Sequence, residues 1–122
     1  MRSNAVKEKS FAFALRIVNL HRFLATEKKE FVLSKQLLRS GTAIGALVRE
    51  AEQAESKPDF IHKMAIALKE ANETEYWILL LRETNYLTVK ESKSILADTV
   101  ELLKLLTSII KSAKRSQVTM DN

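Results

Sequence analysis

The chain has no cysteine, one proline and two glycines. Without cysteine there are no disulfides, thiolate metal sites or cysteine nucleophiles. So little proline and glycine supplies few turns, and an all-β fold needs many. No apolar run approaches the roughly 18 residues of a membrane span. The opening MRSNAVKEKS is polar and carries Glu8, so it lacks the apolar core of a secretion signal. A cytoplasmic protein with no membrane contact is expected.

What is present is one domain's worth of chain, 122 residues, with 46% hydrophobic residues to build a core. Charge is unevenly placed. Residues 1–49 hold ten Lys/Arg and three acids, residues 50–75 three and seven, residues 76–122 seven and five. The net values are +7, −4 and +2, which sum to the formal +5 of the whole chain. A basic first half suits a nucleic-acid or acidic-protein partner. It equally suits a lysine-rich helical surface that only keeps the protein in solution.

Hydrophobic spacing predicts four helices, over residues 4–25, 32–55, 57–84 and 89–114. Phe13, Ile17, Leu20 and Leu24 recur at helical spacing and mark the buried stripe of the first. The segment TEKKE, 26–30, reads as a plain connection. Ser56-Lys57-Pro58-Asp59 and Thr88-Val89-Lys90-Glu91 are capping-box patterns that start the third and fourth helices. The tail RSQVTMDN is expected to fray. Short connections between four helices imply an all-α, antiparallel up-down-up-down bundle.

Both glycines, Gly41 and Gly45, fall inside the second helix, where each costs roughly 1 kcal/mol against alanine. The inward stripe there is Leu37, Gly41, Ile44 and Val48, with Gly45 on its shoulder. A missing side chain on a packed face lets a neighbour approach closely, and Phe60 and Trp77 of the third helix are the expected neighbours. A phosphate loop is not indicated, because the N–H groups of a helix interior are already bonded.

The third helix carries two stripes. Phe60, Met64, Ala67, Ala71, Thr74 and Ile78 form the core face; Ile66, Glu70, Glu73, Trp77 and Leu80 form a second. The first helix has a second apolar side through Phe11, Ala14, Leu15 and Val18. The fourth spreads Leu102, Leu103, Leu105, Leu106, Ile109 and Ile110 over more than half its circumference. That is more apolar surface than one small bundle hides, so a homo-oligomer is expected, with the second stripe of the third helix in the subunit contact. Glu70 and Glu73 are costly to bury alone, and Arg39, Arg49 and Lys69 are the expected counter-charges.

Catalytic constellations are sparse. Asp59-x-x-His62 has metal-ligand spacing on a helix, but di-iron bundles need two such motifs and further glutamates. Arg16-x-x-x-x-His21 resembles the Arg-His motif of helical HEPN-type ribonucleases, where the pair lies on a late helix rather than the first. Ser/His/Asp catalysis has no local signature. No cofactor, metal or small-molecule substrate is indicated, and the expectation is a protein that is not an enzyme.

A longer pattern covers about residues 10–85: Gln36 through Ala46, then Glu50-Ala51, Ser56, Asp59-Phe60, Lys63, Ile66 through Glu70, Glu73-Thr74 and Tyr76-Trp77. In order and spacing it resembles the four-helix-bundle proteins encoded by intervening sequences in bacterial 23S rRNA genes, a family once counted as a ribosomal protein. Two positions depart: Ala43 stands where the family often has serine, and Leu47 where it often has asparagine. The resemblance implies an antiparallel bundle, assembly as a homopentamer, and no established activity for most members. A relative, the accessory variability determinant of diversity-generating retroelements, binds a reverse transcriptase and nucleic acid through a basic pentamer surface.

Three functions follow as expectations. The first is an oligomeric module that binds RNA, DNA or a nucleic-acid enzyme through Arg16, Arg22, Lys28, Lys29, Lys35 and Arg39. The phenylalanines of the first two helices read mostly as core, so the expected contact is with phosphates rather than bases. The second is an assembly protein with no nucleic-acid role. The third is a helical ribonuclease.

Overall fold

A computed structural model of the chain describes residues 2–121, with side chains described for residues 5–118. Four α-helices follow one another: α1 Arg2–Thr26, α2 Leu33–Glu52, α3 Lys57–Glu83 and α4 Val89–Asp121. Each packs on its neighbour in sequence, α2 on α3 most extensively, and α4 closes back on α1 through the slightest contact. Among the described residues no close backbone approach joins the diagonal pairs. This is the antiparallel up-down-up-down bundle that the short connections demand.

The core is built where the helical spacing puts it. Phe13, Ile17 and Leu24 from α1, Leu37, Ile44 and Val48 from α2, Met64, Ala67, Ala71 and Ile78 from α3, and Leu102 and Leu106 from α4 are all buried. α4 hides more of its apolar surface than its sequence suggests, since Ile109 and Ile110 are buried too, while Leu103 and Leu105 are half-buried. Among the described residues no buried side-chain nitrogen or oxygen lacks a hydrogen-bond partner.

The helix ends have identifiable chemistry. At α4, Thr88 Oγ1 accepts from the Glu91 N–H at 3.0 Å, and Glu91 Oε1 accepts from the Thr88 N–H at 2.8 Å, a complete capping box. That backbone N–H is the main reason the Glu91 carboxyl sits below the usual carboxylate range. At α3, Ser56 Oγ accepts from the Asp59 N–H at 3.2 Å, but the shorter Asp59 carboxylate accepts from Glu55 N–H instead of closing on Ser56. Ser56 is extended to cap α3 (φ −154°, ψ 166°), so α2 stops at Glu52 rather than reaching residue 55. α3 ends in a Schellman arrangement: Asn85, at φ 69°, donates to Arg82 O, and Tyr86 donates to Leu81 O.

Two segments differ from expectation. The tail from Arg115 does not fray; α4 continues through Asp121, and the stretch contains no glycine or proline to stop it. Asn122 lies outside the described residues. The connection 27–32 is more than a spacer. Lys29 takes a left-handed φ of 57°, which turns the buried Glu30 back onto the start of α2. There its carboxylate accepts from the N–H groups of Ser34 (2.8 Å) and Val32 (3.3 Å), and the Ser34 hydroxyl donates to Glu30 O at 2.8 Å. Glu30 thus caps a helix whose own N-cap residue, Val32, has no side chain able to do so.

The glycines do mark a close approach, but to α1 and not α3. A Cβ on Gly41 would lie 2.8 Å from both γ-carbons of Ile17, and one on Gly45 would lie 3.3 Å from the Ser10 carbonyl oxygen. Phe60 and Trp77, the expected neighbours, are half-buried on α3 and are not what fills the space. The α1–α2 crossing is therefore set by two absent side chains.

Candidate functional site

The antiparallel topology gathers charge at one end of the bundle. The last turn of α1, the 27–32 connection, the first turn of α2 and the first turn of α4 all lie there. That end holds Arg22, Lys28, Lys29 and Lys35, four of the six cations singled out from the sequence, and adds Lys90 and Lys93, which the sequence reading passed over. Lys28 is close enough to Glu91 for their charges to attract weakly. Its ammonium also lies 5.6 Å from the centre of the Phe23 ring. Arg22, Lys29, Lys35, Lys90 and Lys93 are all exposed.

Phe31 stands at the same end, 59% exposed. The sequence reading placed the phenylalanines mostly in the core, and for Phe31 the structure corrects it. The signal was present: Phe31 precedes α2 and falls outside the apolar stripe that starts at Leu37. An exposed aromatic at the end that carries these cations offers a base something to stack on.

The other two candidates are occupied within the protomer. Arg16 pairs with Asp98 across the α1–α4 seam. Arg39 binds Glu73 and, at 3.2 Å, Glu70. The counter-charge expected from Arg49 is not supplied; its guanidinium lies over the Phe11 ring, 5.5 Å from the centre. Lys69 is exposed and has no described contact to either carboxylate.

The second stripe of α3 is half-buried throughout: Ile66, Glu70, Glu73, Trp77 and Leu80 are all neither core nor open. Trp77 leans on the core and donates from Nε1 to Glu73 at 2.9 Å. This hydrogen bond, working against the partial burial and assisted by Arg39, holds the Glu73 carboxyl below its usual range. Just inside, the buried hydroxyls of Ser40 and Thr74 meet at 2.9 Å between α2 and α3. The ion pairs therefore join α2 to α3 at the edge of their packed face. The fully outward aromatic is Tyr76, 57% exposed and edge-on to Trp77 at 5.0 Å. On α1, Phe11 and Leu15 are also more than half exposed.

The catalytic alternatives gain no geometry. Arg16 and His21 are five residues apart, so they point about 140° away from each other around α1. His21 Nδ1 lies 3.2 Å from the Ser34 carbonyl oxygen, to which it donates. Among the described residues no three His, Asp or Glu side chains are placed to share a metal ion, and no helix is long and apolar enough to cross a membrane.

A family model described as 23S rRNA-intervening sequence protein matches residues 2–108. Among solved structures, the chain is similar to the crystal structure of a protein with unknown function from the S23 ribosomal protein family of Bacteroides thetaiotaomicron. The two share 63% sequence identity and a TM-score of 0.90, covering 91% of this chain and 99% of that one. No curated protein matches.

Proposed function

The chain belongs to the 23S rRNA-intervening sequence protein family, and from that premise we propose a self-associating, non-catalytic bundle that holds nucleic acid on its basic end. The observation that carries this reading is that Arg22, Lys28, Lys29, Lys35, Lys90 and Lys93 share one end of the bundle with an exposed Phe31. Cations supply sequence-independent attraction to phosphates, and the ring adds a platform for an unpaired base. Self-association is supported by Phe11, Leu15 and Tyr76, which a monomer leaves in water. A homopentamer is the assembly the family resemblance implies, and repetition of the basic end around a ring strengthens weak contacts through avidity.

Fluorescence anisotropy with a single-stranded RNA, an RNA hairpin and a DNA duplex tests the binding. Lys29→Gln with Lys35→Gln should weaken binding to all three. Those positions are chosen because Lys28 already serves Phe23 and Glu91. Phe31→Ala should weaken single-strand binding more than duplex binding. No binding of the wild-type protein at low salt refutes the reading. It would favour the second one, an assembly protein whose cations only solubilise it, which the internal pairing of Arg16 and Arg39 supports.

A further inference from the structure

Between Glu101 and Asp121 the chain has no acid; it has Lys104, Lys111, Lys114 and Arg115. At 100° per residue, Lys90, Lys93, Lys104, Lys111 and Arg115 fall within about 60° of one another around α4. The core side chains Ile95, Leu102, Leu106 and Ala113 centre about 180° away. The five cations thus form one straight outward row, and all five are exposed. In its lower half, Lys104, Lys111 and Arg115 line a groove of about 650 Å³ together with Leu103 and the hydroxyl side chains Thr107, Ser108 and Ser112.

A solvated helix face normally mixes both signs of charge. Here the two acids in the middle of α4 are already answered from α1: Asp98 by Arg16, and Glu101 by Lys9 at 2.9 Å. That leaves the row uninterrupted in sign. Seating a helix in a lipid surface takes large apolar side chains beside the cations. Most of those in this half of α4 are taken up by the core; Leu103 is half-buried where it lines the groove, and Val118 alone among the described ones is more than half exposed. α4 has no aromatic residue, so it offers bases nothing to stack on.

The row suits a phosphodiester backbone. From Lys90 to Arg115 is 25 residues, about 37 Å of helix. One strand of a duplex presents a charge every ~3.4 Å of axis, so this length faces about eleven phosphates. We infer that the outward face of α4 is a phosphate-backbone track, with Lys104, Lys111 and Arg115 extending the contact that begins at the bundle's basic end. The inference rests on the nucleic-acid reading above and adds to it a second surface, which runs past the residues matched by the family model.

Binding of a DNA duplex and an RNA hairpin is measured over a salt series for the wild type, for Lys104→Gln with Lys111→Gln, and for the end pair Lys29→Gln with Lys35→Gln. Each lost phosphate contact lowers the slope of log affinity against log salt by about 0.9 on duplex DNA. The α4 pair should therefore lower it by about two per engaged subunit, on both probes, with an unchanged circular dichroism melt. An unchanged slope overturns the track. If only the end pair lowers the slope, the track is wrong and the proposed function stands. If the wild type binds neither probe, both are wrong. Anionic vesicles and polyglutamate serve as competing polyanions: loss of their binding in the α4 pair, with duplex binding intact, also overturns the assignment to nucleic acid.

Discussion

Alanine at Gly41 should destabilise the protein, although alanine is the better helix former. The new Cβ would lie 2.8 Å from Cγ1 and from Cγ2 of Ile17. Both atoms hang on the same branched carbon, so no single rotation moves both away. Ile17 is fully buried and has nowhere to retreat. Overpacking of this kind costs about 1–3 kcal/mol, and helix propensity returns roughly 1 kcal/mol. The net loss is about 1 kcal/mol, or roughly 4 °C in melting temperature for a domain of this length.

The sharper test is a change of sign. Ile17→Ala removes both γ-carbons and costs about 2–5 kcal/mol by itself. In that background Gly41→Ala meets open space, gains the propensity, and should stabilise by about 1 kcal/mol. The coupling is then about 2 kcal/mol, within the range of touching residues. Ile17→Val keeps both γ-carbons, so in that control Gly41→Ala should still destabilise. Urea melts at one fixed protein concentration read all six proteins, because assembly would otherwise shift the midpoints. A Gly41→Ala effect of the same sign in all three backgrounds refutes the proposed crossing.

Glu30→Ala should cost about 1–3 kcal/mol, because the buried N–H of Ser34 loses its acceptor; Glu30→Gln retains an oxygen there and should cost less. Equal losses in urea melts would show that the carboxylate does not cap α2. A carboxyl held below its usual range stabilises the fold above that range, and the contribution is lost as pH falls through the lowered value. Trp77→Phe deletes the donor to Glu73. The Glu73 titration followed by carbon NMR should therefore move up, and the acid-unfolding midpoint should move to higher pH; an unmoved titration contradicts the assignment. Tyr76→Ser removes an aromatic that the protomer leaves in water, so sedimentation should show weaker assembly with an unchanged monomer fold. A wild-type monomer at micromolar concentration would refute self-association itself.

The four helices were legible because their signals are local. Apolar residues recur within one helical turn of each other, and the Thr88–Glu91 box spans four residues. The crossing was half legible. Sequence shows which face of α2 lacks side chains, but α2 lies between α1 and α3, and nothing local tells which neighbour comes closer. Phe60 and Trp77 drew the expectation towards α3, whereas a stiff Ile17 and the Ser10 backbone fill the space. Glu30 went unread because a glutamate two residues before the N-cap becomes a cap only when Lys29 turns the chain back.

Charge was the least legible property, because its meaning depends on distant partners. Arg16 meets an acid 82 residues away, and Arg39 meets acids 31 and 34 residues away. Counted locally, the first and last of the three stretches misled. The first looked strongly basic, yet two of its six singled-out cations are neutralised inside the protomer. The last looked nearly neutral at +2, yet two of its acids, Asp98 and Glu101, are neutralised by α1. The pairings transfer positive character from the side of α1 to the outward face of α4. Had angular position around the helix been combined with the α1–α4 adjacency that the bundle topology requires, the row from Lys90 to Arg115 would have been visible. The same reasoning makes Arg16 and Lys9 positioning residues for that row. Replacing both by glutamine would free two carboxylates beside it, and the salt dependence of duplex binding should fall although neither side chain touches the phosphates.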